Sequence, residues 1–326
     1  MHDRSQAPTV PLVPGLSVII PVYRSAEGLP ELVKRLEPAL QALSRPFELV
    51  LVNDGSPDSS WQVIEKLATV HSWIRGITLM RNYGQHNAIL AGIRTARYDI
   101  TVTMDDDLQH PPDEIATLLA ELTEGIDVVY GAPQEEQHGL LRDLASQFTK
   151  IVLQGSMGVG IARQVSAFRV FRTQLREAFA NYQSPHVSID VLLTWGTTRF
   201  AAVRVRHEVR KIGTSNYTVG KLVRHAFNMI TGFSVLPLQI ASFVGFSFTF
   251  FGVMVFLYVV GRYFIQGGSV AGFPFLASII TIFAGAQLFA LGIMGEYLAR
   301  IHFRTLERPV YTVRSTTSTP SQITGA

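Results

Sequence analysis

Three consecutive acids, Asp105, Asp106 and Asp107, follow the apolar run Ile100–Met104. Such a run reads as a buried strand, which puts the acids at its carboxyl end. Side chains two residues apart on an extended chain point the same way. Asp105 and Asp107 are therefore expected to converge and Asp106 to diverge. Two convergent carboxylates attract a hard divalent cation. Mg²⁺ commonly takes one or two carboxylates and completes its shell with phosphate oxygens and water. A solvated turn is the plainer account, because Pro111 and Pro112 follow.

The same arrangement recurs upstream. Asn53-Asp54-Gly55-Ser56 follows the apolar run Phe47–Val52. Asn/Asp-Gly is ordinary turn chemistry, with Ser or Asp free to cap the next helix. Asp54 is also placed to accept hydrogen bonds from a nucleotide base. Pro21-Val22-Tyr23 ends a third run, with Glu27 nearby, and the Tyr23 ring can stack on a base. Basic groups that can neutralise a diphosphate are Arg81, in RNYGQH, and Arg210 and Lys211, in RKIGTSNY. Ser215 and Tyr217 add hydroxyl donors, and Gly213 lets the backbone approach a ligand. Attraction to lipid headgroups is a compatible reading of Arg210 and Lys211. His86 and His110 are read as supporting or structural residues rather than metal ligands. The sequence has neither a G-x-x-x-x-G-K-[ST] loop nor a dinucleotide glycine fingerprint.

Behind these residues, short apolar runs alternate with helical patterns from Leu16 to about residue 130. Strands are expected at Leu16–Pro21, Phe47–Val52, Ile74–Met80, Ile100–Met104 and Asp127–Tyr130. Helices are expected at Leu29–Leu43, Trp61–Val70, Asn87–Ala96 and Pro112–Leu122. That alternation predicts βαβ units, a parallel sheet and helices on both faces. Ligands of such sheets bind beyond the carboxyl ends of the strands, where the acids lie. Less regular sequence follows, with helices expected at Leu140–Met157 and Leu175–Phe179 and an alternating strand at Ala201–Val209. Residues 1–15 are polar, Pro-rich and expected to be flexible, with no apolar run of the signal-peptide kind. Ser315–Ala326 is expected to fray.

Of the 326 residues, 47% are hydrophobic and only 16% charged, against about 25% charged in an average soluble domain. The net charge of +3 is too small to argue for nucleic acid. With no cysteine, any metal must be held by oxygen or imidazole. Residues 225–261 and 263–295 contain no Asp, Glu, Lys or Arg. Each stretch can hold a membrane span of about 20 apolar residues. The spans are placed at Leu236–Tyr263 and Phe273–Leu298, with a Gly-rich turn at Gly267–Gly272. Arg206, Arg210, Lys211, Lys221 and Arg224 precede the first span, and Arg300, Arg304 and Arg308 follow the second. The positive-inside rule then puts both flanks in the cytoplasm and the turn outside. Val219–Thr231 reads as an interfacial amphipathic helix. Gly285 and Gly292 are small residues of the kind that let spans pack, in a tetramer for example.

Taken in order, SVIIPVY, VLVNDGSPDSS, RNYGQHNAILAG, TMDDDLQHPPDEI, VVYG, FRVFR, RKIGTSNY, LPL and GEYLARI…RPVY resemble the family 2 glycosyltransferases. More narrowly they resemble the polyprenol-phosphate glycosyltransferases, relatives of dolichol-phosphate mannose synthase. The resemblance spans about residues 16–313. It implies a GT-A (Rossmann-like) parallel-rich α/β sheet domain at 16–218, an interfacial helix at 219–234, two transmembrane helices within 235–298 and a cytoplasmic segment at 299–326. It also implies inverting transfer of a sugar, from a UDP-sugar or related nucleotide donor, to an undecaprenyl-type phosphate. The setting is the cytoplasmic face of a bacterial inner membrane, and the partners are donor, lipid acceptor and bilayer.

Residue by residue, the family pattern puts Pro21, Tyr23 and Asp54 against the base and Glu27 near the ribose. It puts Asp105 and Asp107 on Mg²⁺ or Mn²⁺, with Gln109 lining that site. Arg210, Ser215 and Tyr217 hold the acceptor phosphate. Arg81 and Asp106 complete the donor-binding set. The chain departs from the pattern in three places. PVYRSAE stands where PVYNE is usual, Gln164–Ala167 holds no acid where Asp is usual, and Asn216 stands where Lys is usual. The reading therefore assigns no general base. A phosphomonoester has a second pKa of about 6 and is largely dianionic at neutral pH, so little proton removal is needed. Two other readings are a catalytically degenerate nucleotide-sugar-binding membrane protein and a processive polysaccharide synthase. The second would carry a Q-x-x-R-W segment, which this sequence lacks.

Overall fold

The computed structural model describes residues 12–133, 164–184, 187–208, 236–266, 272–306 and 308–317. Two compact units divide the chain. One comprises residues 1–222 with 309–326, the other 223–308.

The first unit is built on an eight-stranded sheet. Its strands are β1 (Val13–Val22), β2 (Phe47–Asn53), β3 (Ile74–Leu79), β4 (Tyr98–Thr103), β5 (Val128–Pro133), β6 (Arg169–Arg172), β7 (Phe200–Val205) and β8 (Val313–Thr316). They lie in the order β7-β5-β6-β4-β1-β2-β3-β8. The block β4-β1-β2-β3 is parallel throughout. β5 and β7 are also parallel, while β6 runs antiparallel to both β4 and β5. Both central strands are near-continuous apolar runs because both their faces are covered.

Helix α1 (Leu29–Gln41) lays Leu29, Leu32, Val33, Leu36 and Leu40 on one face of the sheet, at three- and four-residue spacing. These side chains share a core with Val18, Ile20, Leu49 and Leu51. α2 (Ser60–Val70) and α4 (Glu114–Glu121) contribute Ile64, Ala68, Ile115 and Leu118 to the same core. α3 (Gln85–Thr95) covers the opposite face. Its Gly92 lies so close to β1 that a Cβ there would stand 2.4 Å from the Ile19 side chain. Helices on both faces of a parallel-rich sheet match the expected GT-A class.

Several elements depart from expectation. β1 begins at Val13, before the anticipated Leu16, because the Val13 amide donates to the Arg97 carbonyl at 3.2 Å. The FRVFR segment holds the antiparallel strand β6, which continues into a 3₁₀ turn at Thr173–Phe179. An unforeseen helix, α5, covers Ile189–Gly196. The start of the supposedly frayed tail is ordered, since β8 pairs antiparallel with β3. The helix expected at Leu140–Met157 and the interfacial helix at 219–234 lie outside the described residues.

The second unit contains α6 (Leu236–Gln266) and α7 (Phe273–Thr305), each longer than expected. Both have stretches long and apolar enough to cross a membrane, Pro237–Arg262 with mean hydropathy 2.2 and Ile282–Ala299 with 1.4. Large apolar side chains such as Phe243, Phe246 and Ile265 face outward, which suits lipid rather than water. The two helices meet where Gly252 admits the Phe283 ring. Phe248 stacks edge-on against that ring at 5.8 Å.

Candidate active site

The parallel block brings four loops to one end of the sheet. The β1 loop carries Pro21, Tyr23 and Glu27, the β2 loop Asp54, the β3 loop Arg81 and the β4 loop Asp105–Gln109. Elements distant in sequence thus gather nine of the twelve residues that the family pattern assigns to donor, metal and acceptor. The other three, Arg210, Ser215 and Tyr217, lie outside the described residues.

Hydrogen bonds cross-link these loops. The Arg24 amide donates to Ser56 Oγ at 2.7 Å, and the Ser25 amide donates to Ser60 Oγ at 3.1 Å. Asp58 gathers the seam by accepting from Ser56 Oγ, Ser60 Oγ and the Ser60 amide at 2.5, 2.6 and 3.2 Å. Burial alone would raise the Asp58 pKa, but these bonds outweigh it and hold the carboxyl below its ordinary value. Asp54 holds the next loop. The Tyr83 and Gly84 amides donate to its two carboxylate oxygens at 2.7 and 2.8 Å. Burial nevertheless leaves its pKa raised. Gly55 sits beneath this loop at φ 59°, where a Cβ would stand 2.3 Å from the Arg81 backbone. Both the left-handed conformation and the close approach require glycine. Asp54 therefore orders the loop that leads into α3, a role the turn reading of its own segment did not include.

The three acids after β4 have three different partners. The strand ends at Thr103 and the chain bends through 106–108, with Leu108 at φ 60°. The alternation of an extended segment does not reach them. Asp105 accepts from Gln85 Nε2 at 2.6 Å, and Asp107 accepts from the Gln109 amide at 3.1 Å. Asp106 turns inward and accepts from the Ser25 hydroxyl. Burial pushes its pKa up to about 6, against the pull of hydrogen bonds from Ser25 and the Tyr23 backbone. The Gln109 carbonyl accepts from the Glu208 amide at 2.8 Å, which ties the acidic loop to the chain beyond β7.

Among the described residues no group of three or more His, Asp or Glu side chains gathers to hold a metal unaided. Two carboxylates at a strand end form an oxygen-only set of the kind that shares a hard cation with substrate phosphates. The acids present thus fit Mg²⁺ or Mn²⁺.

Exposed Tyr23 has the Arg24 guanidinium over its ring at 5.5 Å, with Arg24 at φ 58°. Arg81 lies at 4.6 Å over the Tyr83 ring, and Glu27 is exposed on the same rim. His110 is buried behind the acids, stacked on Phe168 with centroids 5.1 Å apart and edge-on to His207 at 5.1 Å. Burial first, then the neighbouring His207, lowers its pKa to about 4. His86 Nδ1 accepts from the Ile189 amide at 3.4 Å. His110 thus packs behind the acidic loop, and His86 meets the start of α5. Gln164–Ala167, where the family often has an acid, leads into β6 beside the end of β4: the Ala167 carbonyl accepts from Thr103 Oγ1 at 2.9 Å. Sequence reasoning missed Ser25, Asp58 and Gln85. Ser25 and Asp58 sit in the Ser/Asp-rich runs RSAE and SPDSS, whose side chains favour local turn bonds. No local signal marks Gln85.

Comparison with known proteins gives a consistent grouping. Residues 17–180 match the family model described as glycosyl transferase family 2. The chain is 33% identical over 315 residues to an undecaprenyl-phosphate 4-deoxy-4-formamido-L-arabinose transferase of Pectobacterium carotovorum subsp. carotovorum (strain PC1), spanning 96% of both chains. Its namesake from Shewanella sediminis (strain HAW-EB3) is 36% identical over 303 residues, spanning 92% of this chain and 91% of that one. Among solved structures, glucosyl-3-phosphoglycerate synthase from Mycobacterium tuberculosis, in complex with Mn²⁺, UDP-glucose and phosphoglyceric acid, superposes with a TM-score of 0.50. That match has 17% identity and covers 67% of this chain and 78% of the other, a likeness of fold.

Proposed function

The chain belongs to glycosyl transferase family 2 and is a glycosyltransferase, and we propose that it moves a sugar from a nucleotide-sugar donor to an undecaprenyl-type phosphate. One observation carries this reading: relatives named for that acceptor align with more than nine-tenths of the chain, spans included. The two apolar helices support a multi-pass membrane setting. The basic flanks support a cytoplasmic catalytic unit in a bacterial inner membrane.

On this reading the β1 and β2 loops hold the nucleoside, with Pro21, Tyr23 and Asp54 at the base and Glu27 near the ribose. Arg81 adds positive charge near the diphosphate. Asp106 braces the acidic loop from within, and Gln109 lines its mouth. Asp105 and Asp107 would hold Mg²⁺ or Mn²⁺, which would neutralise charge on the departing diphosphate. Arg210, Ser215 and Tyr217 hold the acceptor phosphate. One of its oxygens forms a bond to the anomeric carbon from the face opposite the donor diphosphate. The bond from that carbon to the diphosphate oxygen breaks, and its electron pair leaves with the nucleoside diphosphate, inverting the centre. The acceptor is already largely dianionic at neutral pH, so positioning and charge stabilisation are the work left to the protein.

The test is turnover by the full chain in detergent, with undecaprenyl phosphate, Mg²⁺ or Mn²⁺ and a panel of UDP-sugars. The panel includes UDP-glucose and the UDP form of 4-deoxy-4-formamido-L-arabinose. Release of nucleoside diphosphate with one donor is expected. EDTA, Asp105→Asn and Asp107→Asn should each abolish it. Full activity of Asp107→Asn would overturn the site assignment, and nucleotide binding without turnover would overturn the transferase reading.

A further inference from the structure

Consecutive residues beyond β7 tie down the chain that leaves the acidic loop. Arg206 Nε donates to Glu114 Oε1 at 2.6 Å, and the same guanidinium pairs with Asp113 at the start of α4. The His207 ring stands edge-on to His110 at 5.1 Å. The Glu208 amide donates to the Gln109 carbonyl at 2.8 Å. Residues 206–208 thus meet 109–114 in opposite order, as a strap would. One side chain from a distant element anchors this strap. Arg35, on α1, donates to both carboxylate oxygens of Glu208, at 2.7 and 3.3 Å. A guanidinium fork on a carboxylate fixes direction as well as distance. Its base is rigid, because the neighbouring Leu32, Val33 and Leu36 are buried in the sheet core. At the other end of the path, the Gln109 amide donates to Asp107 Oδ1 at 3.1 Å. A measured contact therefore joins each step from Arg35 to Glu208, to Gln109, to Asp107.

We infer that Arg35 is a positioning residue for the acidic loop, acting through Glu208 to hold Gln109 and, with it, Asp107. The consequence for metal binding rests on the proposed reading of Asp107 as a ligand. The restraint on the loop does not depend on that reading. Loss of the fork should leave the acids in place chemically but less well held, so the cation binds more weakly.

The experiment compares the full chain in detergent with Arg35→Gln, Glu208→Gln, the Arg35→Gln/Glu208→Gln double variant and Arg35→Lys. Lys34→Gln, at an exposed position on the same helix, is the control. Binding of Mn²⁺ in the presence of UDP is read from the free-ion electron paramagnetic resonance signal. The pair is 25% and 32% exposed, so its loss should raise the Mn²⁺ Kd about two- to fivefold, the scale of a partly exposed ion pair. Both single Gln variants should show that rise, and the double variant should be no worse than the worse of them. Arg35→Lys keeps the charge without the fork and should fall between Arg35→Gln and the parent. Lys34→Gln should match the parent. A lowered melting temperature with an unmoved Mn²⁺ Kd would make the pair a stabilising contact only and overturn the inference, as would effects that multiply in the double variant. Should the parent bind no Mn²⁺, the metal reading fails by itself, and hydrogen exchange of peptides covering 107–110 decides this one. Faster exchange in Arg35→Gln but not in Lys34→Gln supports it, and equal exchange in both overturns it.

Discussion

His110 shows how a residue near the site can matter without touching substrate. Its ring is 7% exposed, stacked on Phe168, and its Nδ1 has no hydrogen-bond partner among the described residues. The folded state holds it neutral, with a pKa near 4, whereas an unfolded chain protonates it at about 6.5. Between those values the unfolded state binds more protons, so stability falls as pH drops through that window. Unfolding curves at about pH 7 and about pH 5 should differ by about 2 kcal/mol from this group alone. In His110→Phe, which keeps the stack, the difference should shrink; an unchanged pH dependence would contradict the assignment. Ser25 makes a complementary point. It stands where relatives of this sequence pattern usually have an acid, and its hydroxyl is bonded to the enclosed Asp106 carboxyl.

At the scale of elements, the site depends on how tightly α3 lies on the sheet. Gly92 sets that distance, with Ile19 and Val52 directly opposite. Gly92→Val should push α3 outward, cost about 1–3 kcal/mol by overpacking, and carry Gln85 away from Asp105. Thermal unfolding and metal titration check the two halves, and an unshifted melting temperature would sink the packing argument. The parallel strands were legible because each is an apolar run that must be covered on both faces. β6 and β8 were not, because four residues are too few to show a period. VRST has no apolar face at all, since every residue of β8 is exposed. The expected convergence of Asp105 and Asp107 rested on an extended backbone. That premise ended at Thr103, and the positive φ of Leu108 could not be read from a leucine. Asp54 was placed at the right strand end, but its grip on the Tyr83 and Gly84 amides is a contact across 29 and 30 positions, beyond any local pattern.

For the whole molecule, the proposed orientation makes a clean prediction because the chain has no cysteine of its own. Ser269→Cys, between the two apolar helices in sequence, should react with a membrane-impermeant maleimide in intact cells. Thr317→Cys, beyond the second span, should react only after lysis. The reverse pattern would place the catalytic unit outside. The closing strand adds a consequence for how the protein is made and handled. β8 follows both hydrophobic helices in sequence, so the ribosome must synthesise both before the sheet can gain its last strand. Until then β3 presents unpaired amides and carbonyls along its outer side, the kind of template on which chains aggregate. A soluble fragment cut before Leu236 would carry that open edge permanently. Grafting residues 308–317 back through a linker would cover it.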